Sequence, residues 1–416
     1  MKWRKEAMSN DVLKILEERG LVKQCTHEEP LRKKLQQPTP FYIGFDATAD
    51  SLHVGHLLPI MVMAHMRRQG HIPIALIGGG TTMIGDPSGK SEMRQMLDAD
   101  TIAAYAQSIG AQIRGILAAV PGPEVTMVNN ADWLLKLNYI EFLREVGVHF
   151  SVNRMLTFDC FKIRMERGLS FLELNYMLLQ SYDFLTLFRR YGCRVQIGGD
   201  DQWSNIISGV DLVRRIEHED AYGLTIPLLE TADGKKMGKT EAGAVWLGPT
   251  LTTPYEFYQY WRNTHDQDVN RFLKLYTFLP VEEIDALTAK EGQEINAAKE
   301  RLAFEVTKLV HGEEEAVKAK QAARALFAGG KEAGAIPSTQ INRQRLEAGI
   351  NIVDLLLECG LVASKSEGRR LIQQGGLTIN EQRVEDIELL IDASYLQDNK
   401  ISLRKGKKVH HHVLLG

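Results

Sequence analysis

An α/β fold built on a parallel sheet, followed by a mostly helical stretch and a small mixed α+β module, is the architecture this 416-residue sequence predicts. Three observations carry it. Over the first 250 residues short β-rich runs alternate with helix-forming ones, as strands joined by crossover helices do. Two of those runs, Ile72 to Ile77 and Val195 to Ile197, end in the Gly-rich turns Gly78-Gly79-Gly80 and Gly198-Gly199-Asp200-Asp201. In such sheets ligands gather at the carboxyl ends of the strands. After Pro254 the pattern changes to long helix formers rich in Lys, Glu and Ala.

Taken in order, Phe41 to Phe45 reads as an extended run that gives way to a helix-like apolar stretch from Leu57 to Met66. Tyr176, Gln180 and Asp183 fall at i, i+4 and i+7, on one side of a further helix. Asn296 to Leu309 and Glu313 to Phe327 are helical, and Gly329 to Pro337, rich in Gly and Ala, reads as a linker. A compact module follows, with helices at Ile352–Glu358 and Lys365–Gln374 and strands at Leu377–Ile379 and Lys400–Leu403. The expected division is a catalytic domain over 1–250, a helical domain over 251–330, a linker over 331–350 and a terminal module over 351–416.

Composition narrows the class. Apolar residues at 44% and charged residues at 25% are those of an ordinary soluble protein. No apolar run approaches the roughly 20 residues of a membrane span, and Met1 to Glu6 lacks the apolar segment of a secretory signal, so a cytosolic setting without membrane contact is expected. Cys25, Cys160, Cys193 and Cys359 show no metal or disulfide spacing and are expected to be buried free thiols. The net charge of −3 excludes a protein coated in basic residues. Over 351–416 nine basic residues balance nine acidic ones, so a nucleic-acid footprint there requires clustering, as in Lys400, Arg404, Lys405, Lys407 and Lys408.

Two strings carry the chemistry: His53-Val54-Gly55-His56 at a predicted helix start, and Lys236-Met237-Gly238-Lys239-Thr240 in a Gly-marked loop. Imidazoles at a helix start and ammonium groups on a loop suit a polyphosphate and its developing charge. Other readings stand beside this one. The histidines can be structural or, at a spacing of three, metal ligands, although no third ligand is near and no metal site is expected. Lys235, Lys236 and Lys239 can form a solvated turn, and the Tyr176, Gln180, Asp183 stripe can face solvent. Ile84 to Ser91 is no P-loop, because Ile84 occupies the place of the first glycine, and Gly78 to Met83 does not complete a dinucleotide fingerprint.

Tyr42-Ile43-Gly44-Phe45-Asp46, the His53 to His56 string, Gly85-Asp86-Pro87-Ser88, the Tyr176/Gln180/Asp183 helix, Gln196 to Trp203 and the Lys236 to Thr240 loop together resemble the bacterial tyrosyl-tRNA synthetases, of class I. The resemblance runs essentially end to end. It implies a Rossmann-like catalytic domain and an S4-like RNA-binding module at the C-terminus. It implies tyrosine, ATP with Mg²⁺ and tRNA(Tyr) as partners, and a homodimer. By the same resemblance Tyr42 and Asp183 bracket the substrate phenol, Asp86, Tyr176 and Gln180 hold its ammonium, and Asp46 and Gln202 stand around it. Gly44, Gly55, Gly199 and Asp201 belong to the ATP site, the last two at the ribose. His53, His56 and Thr48 face the phosphates, and Lys90, Arg94, Lys236, Lys239 and Thr240 stabilise departing pyrophosphate. Lys365, Arg369, Arg370, Arg404, Lys405, Lys407 and Lys408 are the candidate RNA contacts. Many relatives carry Cys where this chain has Ile43, which cannot hydrogen-bond a ribose. A tryptophanyl-tRNA synthetase and a nucleotidyltransferase sharing the His-x-Gly-His string are the alternatives.

Overall fold

A computed structural model describes residues 11–88, 97–166, 168–232, 234, 237–240, 243–289, 292–327, 337–397, 399–406 and 409–415. Its central sheet has six strands, β1 (Gln24–Cys25), β2 (Pro40–Asp46), β3 (Ile72–Gly78), β4 (Thr126–Asn129), β5 (Val195–Gly199) and β6 (Tyr222–Ile226), in the order β1-β6-β5-β2-β3-β4. Only β1 runs antiparallel to its neighbour. From Pro73 to Gly78 in β3, and throughout β6, every residue is buried, which is why these strands are continuous apolar runs rather than alternating ones.

The chain steps from β2 outward to β3 and β4, then returns to lay β5 and β6 on the other side of β2. The order therefore reverses between β2 and β5, and a crevice opens outside their carboxyl ends. In the register of that pair Tyr42 stands beside Gln196 and Ile43 beside Ile197.

Helix boundaries follow from caps more than from apolar runs. The helix expected at Leu57–Met66 spans Val54–Arg68, because His53 caps its start. The helix carrying Tyr176, Gln180 and Asp183 spans Phe171–Tyr191. Ser170 and Glu173 form a reciprocal capping box at its start, and Gly192, at φ 63°, closes its end in the left-handed conformation that glycine adopts without steric cost. Glu173 is also held by Arg164 (2.8 Å), a pair buried on both sides. This helix packs on Trp203–Glu217, burying Phe184, Leu185, Leu187 and Phe188 in the same apolar cluster as Tyr42, Val210 and Val213.

By internal contacts the chain forms two compact units, 1–252 with 256–313, and 253–255 with 314–416. Helices expected in a separate domain, Val269–Tyr276, Val281–Thr288 and Ile295–His311, thus belong to the unit that holds the sheet. In the second unit a five-stranded sheet joins Ser338–Ile341, Leu377–Ile379, Gln382–Arg383, Lys400–Lys405 and Val409–Leu415 over a core of Ile352, Leu355, Leu356, Leu377 and Ile401. Ser338–Ile341 pairs in parallel with Val409–Leu415, and the helix Arg343–Glu347 follows it. Residues 338–350, expected as linker, therefore form part of this unit; a four-residue strand offered too short a pattern to be read.

The four thiols are free. Cys193 and Cys359 are buried as expected, whereas Cys25 and Cys160 are half-buried. His411, in the last strand, shares a 2.8 Å hydrogen bond with Thr339. Among the described residues no helix is long and apolar enough to cross a membrane.

Candidate active site

A cleft of about 250 Å³ occupies the crevice between β2 and β5. It gathers Tyr42, Gly44, Asp46, Thr48, His56, Asp86, Tyr176, Gln180, Asp183, Gly199, Asp201 and Gln202, residues drawn from two strands, two helices and three loops. Ile43 also lines it, while His53 and Gly55 flank His56 at the helix start.

At the floor, Asp183 is 1% exposed, and both of its oxygens are occupied: Asn130 Nδ2 donates to one (2.9 Å) and Trp133 Nε1 to the other (2.8 Å). Asn130 is locked in turn, accepting from Gly80 N–H (2.7 Å) and donating to Thr81 Oγ1 (3.0 Å). Burial, opposed by those two donors and reinforced by Asp46, pushes the Asp183 carboxyl up to about 7. Beside it the Tyr42 hydroxyl is buried, and no hydrogen-bond partner for it exists among the described residues; the same holds for Oε1 of Gln180 and of Gln196. Buried polar atoms without partners are costly, by about 1–3 kcal/mol each, unless a ligand supplies the missing bond. Three of them lining one cleft indicate that its floor is built for a polar guest.

Midway, Asp46 accepts from Thr81 Oγ1 (3.0 Å) and from Tyr176 Oη (3.3 Å). Gly78 is required here, because a Cβ would run into the Asp46 carboxylate. Asp86 accepts from Ser88 N–H (2.9 Å) and from Gln202 Nε2 (2.7 Å). Asn205, buried, donates to Gln202 Oε1 (3.1 Å), so the Gln202 amide has its NH₂ turned toward Asp86. Of the two aspartates after β5, Asp200 is engaged by Gln24 and Thr225 (2.6 and 2.9 Å), leaving Asp201 as the one that lines the cleft.

At the rim, the two strings that lie about 180 residues apart come together. His53 Nδ1 accepts from Gly55 N–H (3.0 Å) and His56 Nδ1 accepts from His53 N–H (3.2 Å), a capping box made of imidazoles whose centroids lie 4.0 Å apart. Accepting at Nδ1 leaves the proton of each neutral ring on Nε2, as a donor. The histidines thus cap the helix start through Nδ1 and, when neutral, carry their proton on Nε2. Met237 and Gly238 pack against this helix start: Gly238, at φ 79°, comes so close that a Cβ would sit 3.0 Å from the Gly55 nitrogen. The contact is fastened by Val54 N–H to Val245 O (2.9 Å), Val245 N–H to Gly238 O (2.8 Å) and Gly238 N–H to Tyr260 Oη (3.2 Å). Lys90, Arg94 and Lys236 lie outside the described residues, and of Lys239 and Thr240 only the backbone is described, as a short strand facing Gly243–Ala244.

Asn130, Trp133, Thr81, Gln196 and Asn205 were not among the expected site residues. Asn130 had one readable signal, its place directly after β4, at a strand's carboxyl end. In the second unit Arg369 and Arg370 are exposed, but Lys365 pairs with Asp354 (2.6 Å), and Lys405 is tied to Leu361 O and Glu367 (both 2.8 Å). Arg404 donates to Thr378 (3.2 Å). Lys407 and Lys408 lie outside the described residues.

A parallel-sheet domain with histidines at a helix start, a Gly-Lys-Thr loop against them and a polar cleft at the switch point defines a class I aminoacyl-tRNA synthetase, and the family model described as "tRNA synthetases class I (W and Y)" matches residues 33–328. A second model, "Tyrosine--tRNA ligase SYY-like C-terminal domain", matches 331–413. The chain is 58% identical to a tyrosine–tRNA ligase of Caldanaerobacter subterraneus (97% of this chain, 99% of the relative) and 56% identical to that of Acetivibrio thermocellus (98% and 100%). The solved structure of a C-terminally truncated mitochondrial tyrosyl-tRNA synthetase of Aspergillus nidulans superposes with a TM-score of 0.70 at 33% identity, over 78% of this chain and 96% of that one. The chain belongs to the tyrosine–tRNA ligase family.

Proposed function

We propose that the cleft carries out the family's first reaction with the residue roles that follow. The carboxylate of L-tyrosine attacks the α-phosphorus of ATP; the new bond joins carboxylate oxygen to phosphorus, the bond to the bridging oxygen breaks, and pyrophosphate leaves with the electron pair. The tyrosyl group then passes to the terminal adenosine of tRNA(Tyr). A carboxylate nucleophile is already ionised near neutral pH, so this step needs position and charge stabilisation rather than a base.

The observation that carries this reading is the floor. A phenol there can donate to Asp183 and accept from Tyr42 Oη, completing two buried groups that phenylalanine leaves unmade, an argument for which tyrosyl-tRNA synthetase is itself the standard illustration. Tryptophan has no hydroxyl to offer. Asp86, with Tyr176 and Gln180, takes the ammonium, and Asp46 and Gln202 stand around the amino acid. Gly199 and Asp201 meet the ribose beside Gly44; Ile43 contributes packing there. Thr48 and the Nε2–H groups of His53 and His56 meet the phosphates, with Gly55 allowing close approach, and Lys90, Arg94, Lys236, Lys239 and Thr240 neutralise pyrophosphate as it departs.

Mg²⁺ accompanies ATP in this reading, held by phosphates and water; among the described residues no group of three or more His, Cys, Asp or Glu side chains is placed to hold a metal. Leu135, Tyr139, Ile140, Val148, Val152, Met165 and Phe171 are exposed within one stretch of chain, apolar surface that a second copy would cover in a homodimer. Arg369, Arg370 and Arg404, with Lys365, Lys405, Lys407 and Lys408, are the RNA contacts in this reading, and a cytoplasmic setting follows from work in translation. ATP–pyrophosphate exchange measured with each of the twenty amino acids tests the reading. Exchange that depends on tyrosine alone supports it, and exchange driven by tryptophan overturns the floor assignment.

A further inference from the structure

A second cavity, of about 310 Å³, lies at the opposite end of the Val54–Arg68 helix, walled by that helix, by Val12–Glu18 and by the stretch from Phe278 to Glu282. At 1.5 Å per residue it is roughly 20 Å along the helix from His53, too far to be an extension of the cleft.

Three basic side chains meet there. Arg19, 8% exposed, donates to the carbonyls of Lys274, Thr277 and Leu279 (3.0, 2.8 and 2.6 Å). The Arg68 guanidinium lies over the Phe278 ring, 4.6 Å from its centroid. His65 meets the edge of the same ring at 4.9 Å; it is 4% exposed, and its Nε2 has no hydrogen-bond partner among the described residues. Carbonyls and a ring face lend these guanidiniums dipoles but no counter-charge. Among the described residues neither has a carboxylate within ion-pair distance. The two acids of the rim, Glu18 and Glu282, are exposed, and Glu18 reaches Lys14 (3.7 Å) instead.

Buried cations are ordinarily paired, and buried imidazoles ordinarily bonded. Here burial first, then the neighbouring Arg68, draws the Arg19 pKa down to about 10, with Glu18 and Glu282 offsetting only part of it. Burial and both guanidiniums likewise hold His65 neutral, so its ring has one N–H to donate. An oxyanion supplies what each wall lacks: a counter-charge that a guanidinium fork can grip, and an acceptor for a buried N–H. We propose that this cavity is a binding site for a small phosphate-type oxyanion, gripped by Arg68 and His65 with Arg19 behind them.

The test is calorimetric titration of inorganic phosphate into the full chain at constant ionic strength. Tyrosine and a non-hydrolysable ATP analogue are kept saturating, so that the phosphate subsite of the cleft is already filled. A saturable single-site isotherm is expected, weakened at least about ten-fold by Arg68→Gln and similarly by His65→Leu, but unaltered by Lys14→Gln, whose side chain is exposed. Arg68→Gln, at a half-exposed position, is expected to stay folded by circular dichroism and to keep tyrosine-dependent pyrophosphate exchange unchanged. Absence of saturable phosphate binding, or equal affinity in the wild type and folded Arg68→Gln, overturns the proposal.

Discussion

The floor and the rim of the cleft hold their polar groups in different ways. At the floor Asp183 is sealed from water and gripped by Asn130 and Trp133, beside a Tyr42 hydroxyl with no hydrogen-bond partner among the described residues. At the rim His53 and His56 are half-exposed and spend one ring nitrogen each on capping their own helix, with the Gly238 loop laid against them. A sealed, pre-set group discriminates between ground states, because a wrong guest leaves it unsatisfied. Donors at an open rim act most strongly on charge that appears only as phosphate bonds rearrange. The difference teaches that one cleft can separate choosing the amino acid from accelerating its activation.

The largest expected effect lies at the rim. His56→Asn keeps an acceptor near the position of Nδ1 but removes the Nε2 donor, and adenylate formation is expected to slow by about 10²-fold or more. Lys239→Ala is expected to do the same, with little change in tyrosine affinity in either variant. Stopped-flow measurement of adenylate formation checks both, and a matched loss in affinity would merge rim with floor.

Next comes the floor itself. Asp183→Ala removes the acceptor proposed for the phenol and strands the Asn130 and Trp133 donors, so kcat/KM for tyrosine is expected to fall by about 1–3 kcal/mol, roughly 5- to 150-fold. Steady-state exchange kinetics decide it. An unchanged value would remove Asp183 from tyrosine recognition.

A smaller effect comes from pH. With its carboxyl raised to about 7, Asp183 is ionised above that pH and takes up a proton below it. Once protonated, one of its oxygens carries a hydrogen that confronts the N–H of Asn130 or Trp133. Tyrosine affinity is therefore expected to drop as pH falls from 8 to 6, by up to about ten-fold per unit below the pKa, and Asp183→Asn should flatten the profile. A wild-type profile flat across this range would contradict the assignment.

The smallest effect on activation is expected from the part of the second unit from Ser338 onward, which holds its five-stranded sheet. A chain ending before Ser338 should keep pyrophosphate exchange, whereas the intact chain's tRNA affinity should fall with salt and be largely lost on truncation. The cut falls before Ser338 because Ser338–Ile341 is a strand of the sheet being removed.

What could be read from residues alone divides along the same line. The rim is written in contiguous strings at recognisable punctuation, a helix start and a glycine loop, and Asp183 lies on a helix face that spacing alone marks, whereas Tyr42 entered only through the family resemblance. The floor's supports were not. Thr126–Asn129 is a half-buried four-residue strand with little apolar signal, and Trp133 sits in a helix of four residues, Ala131–Leu134. Their meeting with Asp183, some 50 positions later, is a product of sheet order. Asn205 is another such case: it turns the nearby Gln202 amide toward Asp86, which lies 116 positions earlier in the chain.

Pre-steady-state kinetics of adenylate formation in Trp133→Phe and His56→Asn, each resolved into tyrosine affinity and the rate constant of the chemical step, tests the separation most directly. Trp133→Phe keeps an aromatic ring, though a smaller one, but removes the N–H that steadies Asp183. It should weaken tyrosine binding by about five- to ten-fold, as loss of one charge-assisted hydrogen bond implies, with the rate constant nearly unchanged, while His56→Asn should do the reverse. If both variants lose affinity and rate together, floor and rim are one machine and the division of labour argued from their geometry is wrong.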